Sequence, residues 1–213
     1  MICQVCHKEF NNNLVHKFYG QDHLVTRMNL CSVKCHEERN NKKNMFATIY
    51  GGSQNIKDSK EYLETIELAK RLAKRLANKG YTIKTGGYFG IMEAASIGAT
   101  SVGGKAIRYT CAEFPSVRGN KFLTQNVVCE NIFQRLELLI KKTDLFIVQR
   151  GSVGTMSELF LTLDIVRKME QKPPIILVGE FWESIIVSLD YLVSAKDLSL
   201  MTLVYNIDQI KIQ

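Results

Sequence analysis

Short apolar runs that end in glycine alternate with longer segments of helical spacing along most of this chain. Met45-Phe-Ala-Thr-Ile-Tyr50 runs into Gly51-Gly52-Ser53, Tyr81–Thr85 into Gly86-Gly87, and Asp144–Arg150 into Gly151-Ser152-Val153-Gly154. Apolar runs of this length, closed by glycine, predict buried strands. Lys105–Tyr109, Thr124–Cys129, Lys172–Val178 and an edge segment, Leu203–Tyr205, extend the set. Between them, Tyr62, Ile66, Ala69, Leu72, Ala73 and Leu76 recur at helical spacing within Ser59–Lys79, with Lys and Arg on the other face and Gly80 as the stop. Glu130–Lys142 carries the stripe Ile132, Phe133, Leu136, Leu139 and Ile140, with Arg135 at its margin. Further helices are predicted after Gly154 and over Trp182–Ala195.

Strands alternating with helices, without a long antiparallel pattern, predict an α/β fold: a doubly wound, Rossmann-like parallel sheet over residues 45–213. All the glycine turns follow strand C-terminal ends, where ligands sit in such sheets.

Residues 1–44 break this pattern and read as a separate zinc-binding module with its linker. Cys3-Gln-Val-Cys6 and Cys31-Ser-Val-Lys-Cys35 supply four thiolates at spacings suited to a tetrahedral zinc ion. The second pair opens a helix-like segment, as in treble-clef fingers. His7, His16, His23 and His36 are competing donors. A segment this short has no core of its own, so the metal would supply its folding energy. Glu37–Asn44 is polar throughout and serves as the link. Lys8, Lys17, Arg27 and Lys34 offer a basic face to nucleic acid, but Glu9, Asp22, Glu37 and Glu38 dilute it.

Composition adds bounds. At 213 residues, 46% of them apolar, the chain has material for one substantial core and a small appendage. There is no run of about 18 apolar residues and no signal-peptide pattern at the N-terminus, so the expectation is a cytoplasmic protein without membrane association. The formal charge of +7 favours anionic partners without choosing among them.

The candidate chemistry lies in Asp144–Phe160. A strand that ends in glycines and opens a helix aims unpaired N–H groups and the positive end of the helix dipole at one spot, which binds phosphate. Thr155 adds a hydroxyl at its lip, and Glu158 a carboxylate one turn into the helix. Thr155-x-x-Glu158 before Leu159-Phe160 is also the pattern of a capping box, in which both side chains serve the helix end alone.

Gly151-Ser-Val-Gly154-Thr155-Met-Ser-Glu158 resembles the P-G-G-x-G-T-x-x-E signature of the LOG family, the cytokinin riboside 5′-monophosphate phosphoribohydrolases and their bacterial relatives. Arg150 stands at the family's proline and Ser152 at its second glycine. Gly52 and Ser53 match the family's Y-x-G-S turn. Gly86, Gly87, Gly90 and Met92 match its G-G-G-x-x-G-L-M-G-A turn, where Tyr88 and Glu93 replace glycines. Arg135 resembles the arginine of its M-x-x-R-K segment, with Leu136 in place of the lysine. The resemblance spans roughly residues 45–195.

That resemblance implies hydrolysis of the N-glycosidic bond of a nucleoside 5′-monophosphate in a homodimer, without a catalytic cofactor. Phosphate falls to the backbone of Gly151, Ser152 and Gly154 and to the Thr155 hydroxyl. Glu158 supplies the carboxylate, Arg135 orients the ligand or meets the leaving group, and Gly52, Ser53, Gly86, Gly87, Gly90 and Met92 line the nucleotide. A nucleotide sensor or carrier, and a zinc-finger adaptor tethering the domain to nucleic acid or protein, are the other classes the residues allow.

Overall fold

The computed structural model describes Glu9 and residues 45–211, except 56, 75–79 and 115–118. Seven strands make one sheet: β1 Phe46–Tyr50, β2 Thr82–Thr85, β3 Ala106–Cys111, β4 Gln125–Cys129, β5 Leu145–Val148, β6 Ile175–Val178 and β7 Met201–Val204. Their order is β4-β3-β2-β1-β5-β6-β7, and every pairing is parallel. Among the described residues six α-helices accompany them: α1 Lys60–Ala73, α2 Ile91–Ser101, α3 Ile132–Ile140, α4 Val153–Val166, α5 Phe181–Leu189 and α6 Ala195–Leu198.

Alternate side chains of the central strands feed opposite layers, as the two-residue period of a strand requires. Ala47 and Ile49 of β1 and Leu145 and Ile147 of β5 pack with Leu68, Ala69 and Leu72 of α1 and Ile91, Ala95 and Ala99 of α2. Tyr50, Phe146 and Val148 face the other way, toward Leu139 of α3, Leu159 and Leu163 of α4 and Trp182 of α5. The wholly apolar β5 and β6 are buried along their full length for this reason.

The helix starts follow local capping chemistry. The Ser59 hydroxyl accepts from Tyr62 N–H at 3.3 Å, and Asn131 accepts from Gln134 N–H at 2.9 Å. The helix predicted over 182–195 ends at Leu189, and α6 starts anew at Ala195, where Ser194 accepts from Asp197 N–H at 3.2 Å. On the basic face of α1, Arg71 donates to the Ile207 carbonyl and, in a surface ion pair, to Asp208, both at 3.1 Å.

The chain leaves β1 toward β2, β3 and β4 on one side and returns to add β5, β6 and β7 on the other. The order reverses between β1 and β5, which puts the turns after those two strands side by side at a topological switch point. Residues Met45–Gln213 form a unit by themselves. The proposed zinc ligands Cys3, Cys6, Cys31 and Cys35 lie outside the described residues. Among the described residues, no helix is long and apolar enough to cross a membrane.

Candidate functional site

Three turns meet at the carboxyl edge of the sheet. The Gly52 N–H donates to the Arg150 carbonyl at 3.0 Å, tying the β1 turn to the end of β5. The Ile91 N–H donates to the Gly52 carbonyl at 3.0 Å and brings in the β2 turn. Gly90 permits this junction, since its φ is +60° and a side chain there would overlap the Gly52 carbonyl.

Helix α4 begins at Val153, with Ser152 as its N-cap, and the first helical bond runs from Met156 N–H to the Ser152 carbonyl at 3.1 Å. The N–H groups of Val153, Gly154 and Thr155 therefore have no intrahelical acceptor and stand at the positive end of the dipole. The Ser152 hydroxyl makes no capping bond. Thr155 is the third residue of the helix rather than its cap, so the capping box read from Thr155 and Glu158 does not form.

Glu158 is engaged elsewhere. Its Oε1 lies 3.3 Å from Arg135 Nη2, and both side chains are buried, at 10% and 8% exposure. Arg135 also donates through Nε to the Tyr109 carbonyl at 2.9 Å and lies 5.6 Å from the centre of the Tyr88 ring. Thus β3, α3 and the β2 turn all hold the guanidinium. Burial raises the Glu158 carboxyl from 4.5 to about 7, against the opposing pull of Arg135. The same burial, with the charge of Glu158, pushes the Tyr50 phenol above its ordinary range, and that hydroxyl bonds Thr162 at 3.1 Å.

Of the residues predicted from sequence, Gly52, Ser53, Met92, Arg135, Ser152, Gly154, Thr155 and Glu158 line one cleft of about 430 Å³. Gly151 lines an adjoining cavity. Gly86, Gly87 and Gly90 act differently. A Cβ on Gly86 would overlap Arg135 Nη2, and one on Gly87, whose φ is +77°, would strike the Arg108 side chain. These glycines make room for neighbours rather than line the cleft. Sequence reading did not assign Tyr88, Ile132 or Ser157 to the cleft, though they line it too. The aromatic residue directly after a glycine pair at a strand end was the available signal for Tyr88.

The site thus combines a helix start with free N–H groups, a fixed guanidinium and a carboxyl group that burial raises toward neutrality. Among the described residues, no cluster of His, Cys, Asp and Glu could hold a metal ion.

Residues 44–197 match the SLOG cluster4 family. The chain belongs to that family. The chain is similar to a cytokinin riboside 5′-monophosphate phosphoribohydrolase of Mycobacterium tuberculosis, at 29% identity over 108 residues, 48% of this chain and 56% of that enzyme. The match thus spans little more than half of the enzyme's length. In fold, the SLOG chain resembles the molybdenum cofactor binding protein of Rippkaea orientalis, with a TM-score of 0.62 at 19% identity over 78% of this chain and 92% of that one. The molybdenum cofactor carrier protein of Chlamydomonas reinhardtii gives a TM-score of 0.58 at 19% identity over the same shares.

Proposed function

We propose that the domain hydrolyses the N-glycosidic bond of a nucleoside 5′-monophosphate, releasing free base and ribose 5-phosphate. The observation that carries this reading is the buried Arg135–Glu158 pair, which opens on the same cleft as the start of α4. A phosphate at the free N–H groups of Val153, Gly154 and Thr155 brings the attached ribose toward Glu158, one turn further along the helix.

Cleavage of the C1′–N bond leaves positive charge on the ribose, and the Glu158 carboxylate stabilises that charge or takes a proton from the attacking water. Water adds its oxygen to C1′, and the base departs with the bonding pair and a proton. Arg135 holds Glu158 in place and keeps part of it ionised near neutral pH. The similarity to the mycobacterial phosphoribohydrolase supports this reading. A homodimer, and a structural zinc ion held by Cys3, Cys6, Cys31 and Cys35, belong to the same proposal and rest on the sequence.

A nucleotide or cofactor carrier is the second reading, favoured by the fold shared with two molybdenum-cofactor proteins. The two are separated by incubating the protein with AMP, GMP, CMP and UMP and measuring free base by chromatography. The hydrolase reading expects base from at least one of them. Binding without release of base from any would establish the carrier reading instead.

A further inference from the structure

We propose that the ligand carries a second phosphoryl group, as in a nucleoside 5′-diphosphate, and that Arg150 binds it in the cavity adjoining the Arg135–Glu158 cleft. This rests on the nucleotide reading of the cleft and extends the substrate class of the same site.

The adjoining cavity also measures about 430 Å³ and shares Gly52, Ser53 and Ser152 with the first. A phosphoryl group at the start of α4 therefore has open space on two sides, one leading to Glu158 and one to Arg150. The residues that line the second space include several that carry donors: Arg150, the hydroxyl-bearing Ser53 and Ser152, and the amides Gln54 and Asn55.

Two of these donors are uncommitted. The Ser152 hydroxyl makes no cap bond, although serine at an N-cap usually does. Arg150 pairs with no carboxylate among the described residues, and its guanidinium is placed 5.1 Å from the centre of the Phe181 ring. Stacking on an aromatic face leaves the guanidinium edge, with its forked N–H groups, available for a phosphoryl oxygen pair. Glu61 is the one carboxylate among the described residues that line the cavity; it stands in the first turn of α1, where its charge serves that helix end.

Arg150 departs from the P-G-G-x-G-T pattern that the segment resembles, in which proline stands at this position. A proline offers no charge, whereas arginine two residues before the N-cap adds a cation at the exit of the phosphate turn.

Isothermal titration of the full chain with AMP and ADP, and with the base-free probes phosphate and pyrophosphate, tests the proposal in wild type, R150A and R150K. Wild type is expected to favour ADP over AMP, and pyrophosphate over phosphate, by about tenfold, as one charge-assisted bidentate contact allows. R150A brings both ratios to about one, and R150K, which keeps the charge but not the fork, falls between. Equal affinities in wild type, or ratios preserved in folded R150A, overturn the assignment of Arg150 alone and leave the nucleotide reading standing. If none of the four probes binds, both readings fall together.

Discussion

Gly86 and Arg135 occupy one another's space: the guanidinium fills the volume that any side chain on Gly86 would take. A Cβ there would overlap Nη2 and come within 3.3 Å of the Arg135 guanidinium carbon and 3.0 Å of the Met92 sulfur. The glycine that closes β2 is thus part of what lets a buried arginine reach Glu158.

Gly86→Ala is expected to displace Arg135 from Glu158 while the sheet persists. Misplacing such a group by about 1 Å typically costs on the order of 100-fold in rate. Steady-state base release should fall by that order with an unchanged circular dichroism spectrum. Full activity in the alanine variant would mean that the pair is not needed in its observed geometry.

The helix start gives a complementary test. A Cβ on Gly154 would meet nothing within 4 Å, so the backbone there accepts a side chain without a clash at its root, and Gly154 itself lines the cleft. Gly154→Leu should therefore raise stability by up to about 1 kcal/mol, through better helix propensity, while abolishing AMP binding. Denaturant titration and calorimetry measure the two effects separately. Undiminished AMP affinity in this variant would place the phosphate elsewhere.

Much of this arrangement was legible in the chain because the signals are local. β1 and β5 are short apolar runs and β2 a short β-branched one with a buried lysine, each followed by glycine, and the three turns converge where such a fold puts its ligands. Two features were not local. Arg135 reads as the margin of an amphipathic stripe, and its burial depends on the space left by Gly86 and on the Tyr109 carbonyl, 49 and 26 residues away in sequence. Thr155 and Glu158 match a capping box, but the helix starts three residues earlier than that pattern assumes, which frees Glu158 to turn toward Arg135.

The Glu158 carboxyl makes a prediction about pH. Its value rises from 4.5 to about 7 on folding, so the folded state holds the proton more tightly than the unfolded chain. The stability this contributes is fully present below about pH 4.5 and is lost as the pH rises through about 7, amounting to about 3 kcal/mol across that window. Urea midpoints measured from pH 5 to 8 should show wild type losing ground to Glu158→Gln as the pH rises. A constant difference between them would mean that Glu158 titrates normally.

Zinc is testable without reference to activity. If Cys3, Cys6, Cys31 and Cys35 hold the metal, elemental analysis should find about one zinc per chain in the purified protein. Cys31→Ser should lose most of it, whereas an unaltered content would remove these ligands from consideration.

The central claim is that Glu158 acts on the nucleotide and does not merely complete a buried ion pair. Glutamine retains an acceptor for Arg135 Nη2 and the volume of glutamate, so Glu158→Gln should stay folded, but it has no negative charge for an oxocarbenium-like ribose. Losing an electrostatic contribution of this kind lowers rates on the order of 100-fold or more. The most direct measurement is therefore the rate of base release by folded Glu158→Gln from the best of the four nucleoside monophosphates. The account predicts a fall of at least about 100-fold with the substrate still bound; release at the wild-type rate would contradict it and leave Glu158 a structural partner of Arg135.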